Sequence, residues 1–397
     1  MKLLVIAPLP MTDRASGDLR LFRLLESLVG RHQIDFCPVG VEWQLRDVGA
    51  SELERYCLNL ENIGVRLLKW GVHATLRTGL YDQVWIEFFS NAIPYLEFAR
   101  TFQPRAQIVV DTVDVHYIRL LAKAKLTRLV EDERKAYDIR RQELGVYRVV
   151  DGLIAVTAQD ADALRDASVH TPTFIVPNVH PCQALADMKS DDGPNLIFVG
   201  SFRHSPNVDA VVYFCHEILP LIQLHAPRTT VTIVGDAPTD EVRALASDRV
   251  TVTGFVPSTE PYLRTGGISI APLRFGAGMK GKIGEAMSYG LPVVSTAVGA
   301  EGFGFVPGEQ LLVADDSASF AQAVLALHSD RSLYERIRRA GHAFIESSYG
   351  PAAVGRMVLD AVDRVSMLQP RPISLLRRTK VLAADFYARR IAWRFGG

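Results

Sequence analysis

Residues 268–300 read ISIAPLRFGAGMKGKIGEAMSYGLPVVSTAVGA, and this stretch has the pattern of a strand, a glycine-rich loop, a helix and a second strand. The apolar run at its start ends at Pro272, and Gly276, Gly278 and Gly281 follow. Short apolar strands separated by a helix are typical of a parallel sheet with helices packed on its faces. The segment therefore predicts an α/β fold.

The same alternation of apolar runs and helical patterns extends along the rest of the chain. In the first half the predicted elements are strands at residues 3–7, 65–68, 84–88, 108–111 and 153–156 and a helix at residues 19–29. In the second half they are strands at residues 195–199, 231–234, 250–252, 268–271 and 292–295 and helices near residues 207–224 and 239–246. Residues 177–194, between the halves, are rich in turn formers and lack an apolar period.

These elements predict two doubly wound, Rossmann-like domains that face each other across a cleft. The first domain is expected to cover residues 1–180 and the second residues 194–346, with C-terminal helices and a basic tail at residues 347–397. Ligands of doubly wound sheets bind beyond the carboxyl ends of the strands. The expected binding site is therefore the cleft.

Composition excludes several classes of protein. In 397 residues, 44 lysines and arginines balance 44 aspartates and glutamates, so no overall charge attracts the molecule to nucleic acid. The four cysteines are too far apart for a CxxC metal or redox motif, and too few for a disulfide scaffold. The first apolar run is too short for a secretion signal, and none reaches the roughly 18 to 20 residues of a membrane span. We expect a cytoplasmic protein.

The glycine-rich segment offers a phosphate site. The start of a helix presents free backbone N–H groups and a partial positive charge, here near Ile283, and Lys280 and Lys282 add full charges. Glu285 emerges on the same helix face as Lys282, where it suits the ribose of a nucleotide, although a surface Lys/Glu pair is an equal alternative. The GxxxxGK[ST] loop of nucleotide triphosphatases is not complete, because Ile283 occupies the position of the hydroxyl residue.

The sequence of this segment also resembles that of a known protein family. The pattern GxGxKxKxxEAMxxGxPVVST, followed by Glu301, Gly302 and Phe303, resembles the group-one (family-four) glycosyltransferases, which are retaining enzymes of the GT-B fold. Further matching stretches are residues 198–201 with 206–207, residues 233–235 and residues 252–256. The resemblance implies that the second domain holds a nucleotide-sugar donor and the first an acceptor.

The resemblance also implies roles for particular residues. Lys282 matches the lysine of the donor-site motif, Glu285 the glutamate associated with the ribose, and Val256 would lie near the base. His116 resembles the family's active-site histidine beside the transferred sugar.

The sequence departs from the family pattern at three positions. Ala277 replaces the first glutamate of the EX7E motif, and Ser201 and Asn207 replace an arginine and a lysine. Other cations are then expected to serve the donor site. The candidates are Arg203, Arg274 and Lys280.

Two candidate site residues in the first domain could instead have a purely structural role. Gly17, at the start of the first helix, could let backbone N–H groups approach a donor phosphate, but a glycine there is more often a cap. His116 follows the strand at residues 108–111, so it faces the expected cleft. It could equally be a loop histidine satisfied by a carboxylate, and Asp114 is the neighbour expected to orient it.

We predict no metal and no cofactor other than the donor substrate. Asp160 and Asp162 spell the DxD of metal-dependent glycosyltransferases, but they follow Thr157 at an expected helix start, where acidic residues act as caps. The predicted function is transfer of a sugar from a nucleoside-diphosphate sugar to a glycan or lipid-linked hydroxyl acceptor. A nucleotide-sugar epimerase and a catalytically silent subunit of a polysaccharide assembly complex remain alternatives.

The C-terminal tail differs from the rest of the chain. Residues 370–397 contain seven basic residues and one acidic residue, Asp385, interleaved with large apolar side chains. This composition suits a segment that lies on an anionic membrane surface, on the inner face of the membrane for a cytoplasmic protein. A helix that packs back across the domains is an equal alternative.

Overall fold

The computed structural model describes residues 1–14, 16–69, 71–185, 194–276 and 278–392. Ala277, and Trp393, Arg394 and Phe395 of the tail, lie outside the described residues. The predicted domain boundary near residues 177–194 lies partly outside them as well.

The first sheet has seven parallel strands in the order β3-β2-β1-β4-β5-β6-β7. Its strands are β1 (Lys2–Ala7), β2 (Gln33–Pro38), β3 (Arg66–Leu67), β4 (Gln83–Glu87), β5 (Gln107–Asp111), β6 (Gly152–Ala155) and β7 (Thr173–Ile175). The sequence predicted all of these except β2 and β7.

The second sheet has six parallel strands in the order β10-β9-β8-β11-β12-β13. Its strands are β8 (Asn195–Val199), β9 (Thr230–Val234), β10 (Val250–Val252), β11 (Ile268–Ala271), β12 (Val293–Ser295) and β13 (Leu312–Val313). The sequence predicted the first five. Together the two sheets confirm the predicted fold class.

Helices cover the faces of both sheets. The helices of the first half are α1 (Ser16–Leu28), α2 (Val41–Val48), α3 (Ala50–Asn62), α4 (Val72–Thr78), α5 (Phe89–Ala92), α6 (Leu96–Phe102), α7 (His116–Thr127), α8 (Val130–Tyr147) and α9 (Ala158–Asp166). Those of the second half are α10 (Ser205–Tyr213), α11 (Leu219–His225), α12 (Asp240–Arg243), α13 (Glu260–Thr265), α14 (Gly281–Ser288), α15 (Ala297–Ala300), α16 (Ser317–Ser329), α17 (Arg331–Tyr349), α18 (Pro351–Ser366) and α19 (Leu375–Tyr387).

The helix predicted near residues 207–224 is not one regular helix. A π-helical turn, Phe214–Ile218, separates α10 from α11. Pro220 lies in the first turn of α11, and it has no N–H to donate to a carbonyl of the preceding turn. The hydrogen-bond pattern therefore changes over the five residues before α11.

The chain returns to the first domain after the second sheet is complete. Val354, Val358 and Val362 of α18 are buried in one apolar cluster with Leu21 and Leu28 of α1. Further on, Val381 of α19 packs against the other apolar cluster of the first domain. Of the helices within the described ranges, none is both long enough and apolar enough to cross a membrane.

The two sheets direct their carboxyl ends toward the same cleft. At the start of α14, a Cβ atom on Gly281 would lie only 2.8 Å from the Cβ of Ser16 at the start of α1. Beside it, a Cβ on Gly278 would lie 3.5 Å from the Cβ of Asp114, which follows β5. Loops from both domains therefore meet where the sequence predicted a site.

Candidate active site

Two helix starts face each other at the centre of the cleft. Gly278 has a φ of +67°, in the left-handed region that favours glycine, and it turns the loop after β11 into α14. Gly17 lies in the first turn of α1, where a Cβ would lie 3.2 Å from Cγ1 of Val113. The starts of α1 and α14 thus bring two sets of backbone N–H groups together.

Lys282 is half-buried in the first turn of α14. Its amine donates a hydrogen bond to the side-chain oxygen of Asn207 and lies 4.3 Å from the centre of the Phe198 ring. Burial, together with the charge of Lys280, lowers the pKa of Lys282 to about 7. In the part of the chain that the structure describes, no carboxylate pairs with this amine.

Ser201 and Asn207, which replace the family's arginine and lysine, lie directly beside Lys282. The Asn207 amide donates to the Ser201 carbonyl at 2.7 Å, and this bond turns its oxygen toward the lysine. Both of these replacement residues are neutral, so neither adds a charge beside the amine.

Lys280 and the two candidate arginines all have acidic partners. Lys280 is buried and lies 3.3 Å from Glu301, and burial lowers its pKa. The Arg203 guanidinium lies 3.0 Å from Asp236, and also 3.0 Å from Asp47 of α2 in the other domain.

Arg274 forms a two-pronged pair with Asp209, with one bond of 2.9 Å. Of the four cations that the sequence selected, Lys282 is therefore the one whose charge has no acidic partner within the described residues.

The helix start near Ile283 needs a correction. The sequence suggested that this region offers free amides, but the Ile283 N–H donates to the Lys280 carbonyl at 2.9 Å. The Ile283 side chain is completely buried in the core of the second domain. Amides open to a phosphate must therefore come from Gly281 and Lys282, the first two residues of the helix.

Glu285 joins α14 to the loop after β10. Its carboxylate accepts a hydrogen bond from the Thr259 hydroxyl, and burial raises its pKa. Val256, which lies in the same loop, packs against the core of the second domain. The two residues that the resemblance assigned to ribose and base therefore belong to one connected wall of the cleft.

His116 begins α7 on the opposite side of the cleft. Its Nδ1 atom lies 3.1 Å from an oxygen of Asp114 and 3.6 Å from an oxygen of Glu143. Burial alone would lower the pKa of His116, but the nearby carboxylates of Glu143 and Asp114 raise it above its ordinary value. The expected neighbour Asp114 is present, and a second carboxylate accompanies it.

Glu143 is a residue that sequence reasoning missed. Its buried carboxylate accepts hydrogen bonds from the backbone N–H groups of His116 and Tyr117, both at 3.0 Å, and from the Tyr147 hydroxyl at 2.9 Å. It thereby caps α7 from the neighbouring helix α8. Nothing in the sequence separates it from the other acidic residues of that mostly exposed helix.

Two non-glycine residues near His116 have left-handed backbone conformations. Phe88, after β4, has a φ of +64°, and Val113, after β5, has a φ of +58°. Such conformations cost roughly 1 to 3 kcal/mol and often occur at functional sites. The Phe88 and Phe89 rings lie 5.6 and 5.5 Å from the His116 ring, edge to face.

A cluster of acids lies beneath the start of α1. Arg20 is fully buried and lies 2.6 Å from Asp111, at the end of β5. Glu87 is buried next to them, and burial and the charges of Asp111 and Asp18 raise its pKa well above the ordinary range. Burial also raises the pKa of Asp18 to about 7.

The described residues offer no obvious metal centre. No group of three or more His, Cys, Asp or Glu side chains within the described ranges could hold an ion. Asp160 receives a hydrogen bond from the Thr157 hydroxyl at 2.6 Å, and its backbone N–H donates back to Thr157 at 3.0 Å. Asp162 pairs with Arg165 instead. The two carboxylates of the DxD sequence therefore belong to a helix cap and a surface pair.

The two-domain architecture is that of the GT-B glycosyltransferases, and solved structures show the same fold. Alr3699/HepE of Anabaena in complex with UDP superposes with a TM-score of 0.68 at 14% identity and covers 92% of this chain and 100% of its own. Its complex with UDP-glucose gives a TM-score of 0.67 at 15% identity. A glycosyltransferase from Rickettsia africae gives a TM-score of 0.69 at 12% identity, with coverage of 92% and 98%.

Sequence comparison matches the second domain. Residues 193–330 match the family described as "Glycosyl transferases group 1". A curated relative, described as an uncharacterized 44.6 kDa protein in the cps region of Klebsiella pneumoniae, is 26% identical over 208 residues. That match covers 50% of this chain and 53% of the relative, so the chain matches about half the length of that protein.

Proposed function

We propose that this protein is a glycosyltransferase that moves a sugar from a nucleoside-diphosphate sugar to a hydroxyl acceptor. The observation that carries the proposal is the amine of Lys282, which has no acidic partner within the described ranges and lies at the start of α14, where the start of α1 approaches it. A cation beside two sets of helix-start amides suits a diphosphate. The group 1 match of residues 193–330 and the UDP complexes of the Anabaena protein support the same donor class.

In the proposed reaction, the bond from the anomeric carbon to the diphosphate breaks while the acceptor oxygen bonds to that carbon. Negative charge collects on the leaving diphosphate, and Lys282 and the Gly281 amide stabilise it without reorganising. His116 would lie beside the sugar, and Glu285 would accept a hydrogen bond from the ribose.

We propose retention of configuration, which rests on the resemblance of the motif in α14. The acceptor hydroxyl then attacks from the face that the diphosphate leaves, and its proton passes to a phosphate oxygen. No covalent enzyme intermediate and no metal are part of the proposal. The cps-region relative supports a role in polysaccharide or glycolipid assembly, with a glycan or a lipid-linked precursor as acceptor in the cytoplasm.

A screen of nucleotide sugars tests the proposed function. Thermal shifts with UDP- and GDP-sugars should select a donor, because a bound ligand raises apparent stability by mass action. With that donor, we expect slow release of the nucleoside diphosphate in the absence of acceptor and faster release with it. Conversion of the donor to an epimer without acceptor would indicate an epimerase. Donor binding without any turnover would indicate a silent binding subunit.

A further inference from the structure

Helix α19 is fixed on the first domain by one face. Val381 packs against the apolar cluster that covers the sheet, and the buried carboxylate of Asp385 pairs with Arg77 of α4 at 2.8 Å. Arg377 also faces the domain and lies 3.4 Å from Glu97 of α6. The tail therefore does pack back on the first domain, and these contacts set the rotation of the helix about its own axis.

The outward side of α19 is apolar, although an exposed helix face is ordinarily polar. Leu375, Leu376 and Phe386 have exposed fractions of 79%, 68% and 52%, and Leu382 and Tyr387 are also exposed. At 100° per residue, four of these side chains lie on the half of the helix that faces away from Val381 and Asp385, and Leu382 lies at the edge of that half. The helix thus exposes five large apolar side chains, and exposed apolar patches mark interaction sites.

Cations border this patch. Within the described residues, Arg378 and Lys380 have no acidic partner, and the Arg390 guanidinium lies 5.7 Å from the centre of the Phe386 ring. The one acidic side chain of the helix, Asp385, is turned inward and is neutralised by Arg77 and Arg389. The outward side thus combines apolar side chains with positive charge.

We propose that the outward face of α19 docks on an anionic lipid bilayer, with the helix lying in the plane of the interface. The apolar side chains would enter the boundary between headgroups and acyl chains, and the flanking cations would contact anionic headgroups. Charge favours this occupant, because a basic patch attracts an anionic surface and not a second, equally basic copy of itself. The inference goes beyond the proposed function and does not depend on it.

Vesicle flotation of the full chain tests the inference. The probes are phosphatidylcholine vesicles with and without phosphatidylglycerol, at low and at high salt. We expect the protein to float with the anionic vesicles at low salt and to be released at high salt, because salt screens the attraction. Recovery of the protein in the soluble fraction with both kinds of vesicle at low salt would overturn the inference.

Variants of α19 show which of its residues are needed for binding to the vesicles. A double variant L382D/F386D and a double variant R378E/K380E should each reduce partitioning by about tenfold or more. L224D is the matched control, because Leu224 is also an exposed helical leucine but lies in the second domain. All substituted side chains are exposed, so unchanged thermal unfolding should accompany the loss of binding. Equal flotation of the α19 variants, or a wild-type dimer in sedimentation that L382D/F386D abolishes without any flotation, would assign the face to another occupant.

Discussion

The surroundings of Lys282, more than its residue type, distinguish it from the other candidate cations. Lys280, Arg203 and Arg274 each have a carboxylate within ion-pair distance, whereas Lys282 contacts a neutral amide and an aromatic ring. A half-buried ammonium group without an acidic partner costs stability, and an incoming anion would remove that cost. The free protein therefore holds this residue ready for an anionic ligand.

Substitution of Lys282 should affect activity more than folding. We expect Lys282→Ala to lower kcat/KM by roughly a hundredfold or more, because loss of one preorganised charge-stabilising group costs about 3 to 4 kcal/mol. Thermal unfolding should change little, since this amine forms no ion pair with any residue that the structure describes. Lys135→Ala, at an exposed position on α8, is the control. Steady-state kinetics with an unchanged kcat/KM for Lys282→Ala would remove this residue from the site.

The lowered pKa of Lys282 predicts a pH dependence. In the free protein the amine is charged below pH 7 and neutral above it, so kcat/KM should fall as the pH rises through about 7. A bound diphosphate stabilises the charged form, so kcat should fall only at higher pH. Lys282→Arg keeps its charge at all these pH values and should abolish the alkaline decline in kcat/KM. Identical pH profiles for the wild type and Lys282→Arg would contradict the assignment.

At the scale of elements, the sequence predicts strands that lie within apolar runs, including the two-residue β3, and misses β2, β7 and β13. β2 contains Asp35, which interrupts the apolar run, yet this carboxylate is buried and pairs with Arg66 from the neighbouring strand. β13 has two residues, and β7 has three. Pairing between strands, which no local pattern encodes, stabilises all three.

The candidate site also has one part that the sequence predicts and another part that it does not. Its local part, the glycine loop and α14 with Lys282 and Glu285, is predictable because a strand, glycines and a helix start follow one another in the sequence. Its nonlocal part is not predictable. Glu143 reaches His116 from another helix, and Asp47 reaches Arg203 from the other domain. Those contacts depend on how complete elements pack.

The position of Glu285 in α14 leads to a prediction about nucleotide binding. Glu285→Gln retains an oxygen that can accept from Thr259, so the loop after β10 should keep its place and the unfolding temperature should change little. A ribose hydroxyl would lose a charged acceptor, so nucleotide affinity should fall by about tenfold. Calorimetry with UDP and GDP measures this, with Glu241→Gln on α12 as control. Unchanged affinity for both nucleotides would exclude the ribose role.

At the scale of the whole molecule, few polar contacts join the two domains among the residues that the structure describes. Arg203 joins Asp236 of its own domain to Asp47 of the other, and the Arg14 guanidinium lies 4.6 Å from the centre of the Phe255 ring across the cleft. Exposed pairs of this kind contribute less than about 1 kcal/mol each. The domains are therefore expected to separate easily when no donor is bound.

Removal of the ion pair between Arg203 and Asp47 tests whether this pair helps to hold the domains together. We expect Asp47→Asn to increase the radius of gyration in small-angle scattering and to raise the KM for the donor by up to about fivefold, with a smaller change in kcat. Asp209→Asn breaks the Arg274 pair within one domain and is the matched control. If Asp47→Asn has the same radius of gyration and the same KM for the donor as the wild type, the ion pair between Arg203 and Asp47 does not hold the domains together.

The reaction should not depend on a divalent ion. Because Asp160 is part of a helix cap and Asp162 pairs with Arg165, we expect activity after EDTA treatment to remain within about twofold of that of untreated protein. Glycosyl transfer measured before and after treatment checks this. Complete loss that Mn²⁺ restores would establish a metal-dependent reaction.

The binding of the donor diphosphate by Lys282, at the start of α14, is the step on which the proposed function depends most. Calorimetric titration of the wild type and Lys282→Ala with UDP or GDP, whichever the screen selects, and with the corresponding nucleoside tests it most directly. We expect Lys282→Ala to weaken binding of the diphosphate by about tenfold or more and to leave binding of the nucleoside unchanged. Equal affinity of the two proteins for the diphosphate would contradict it.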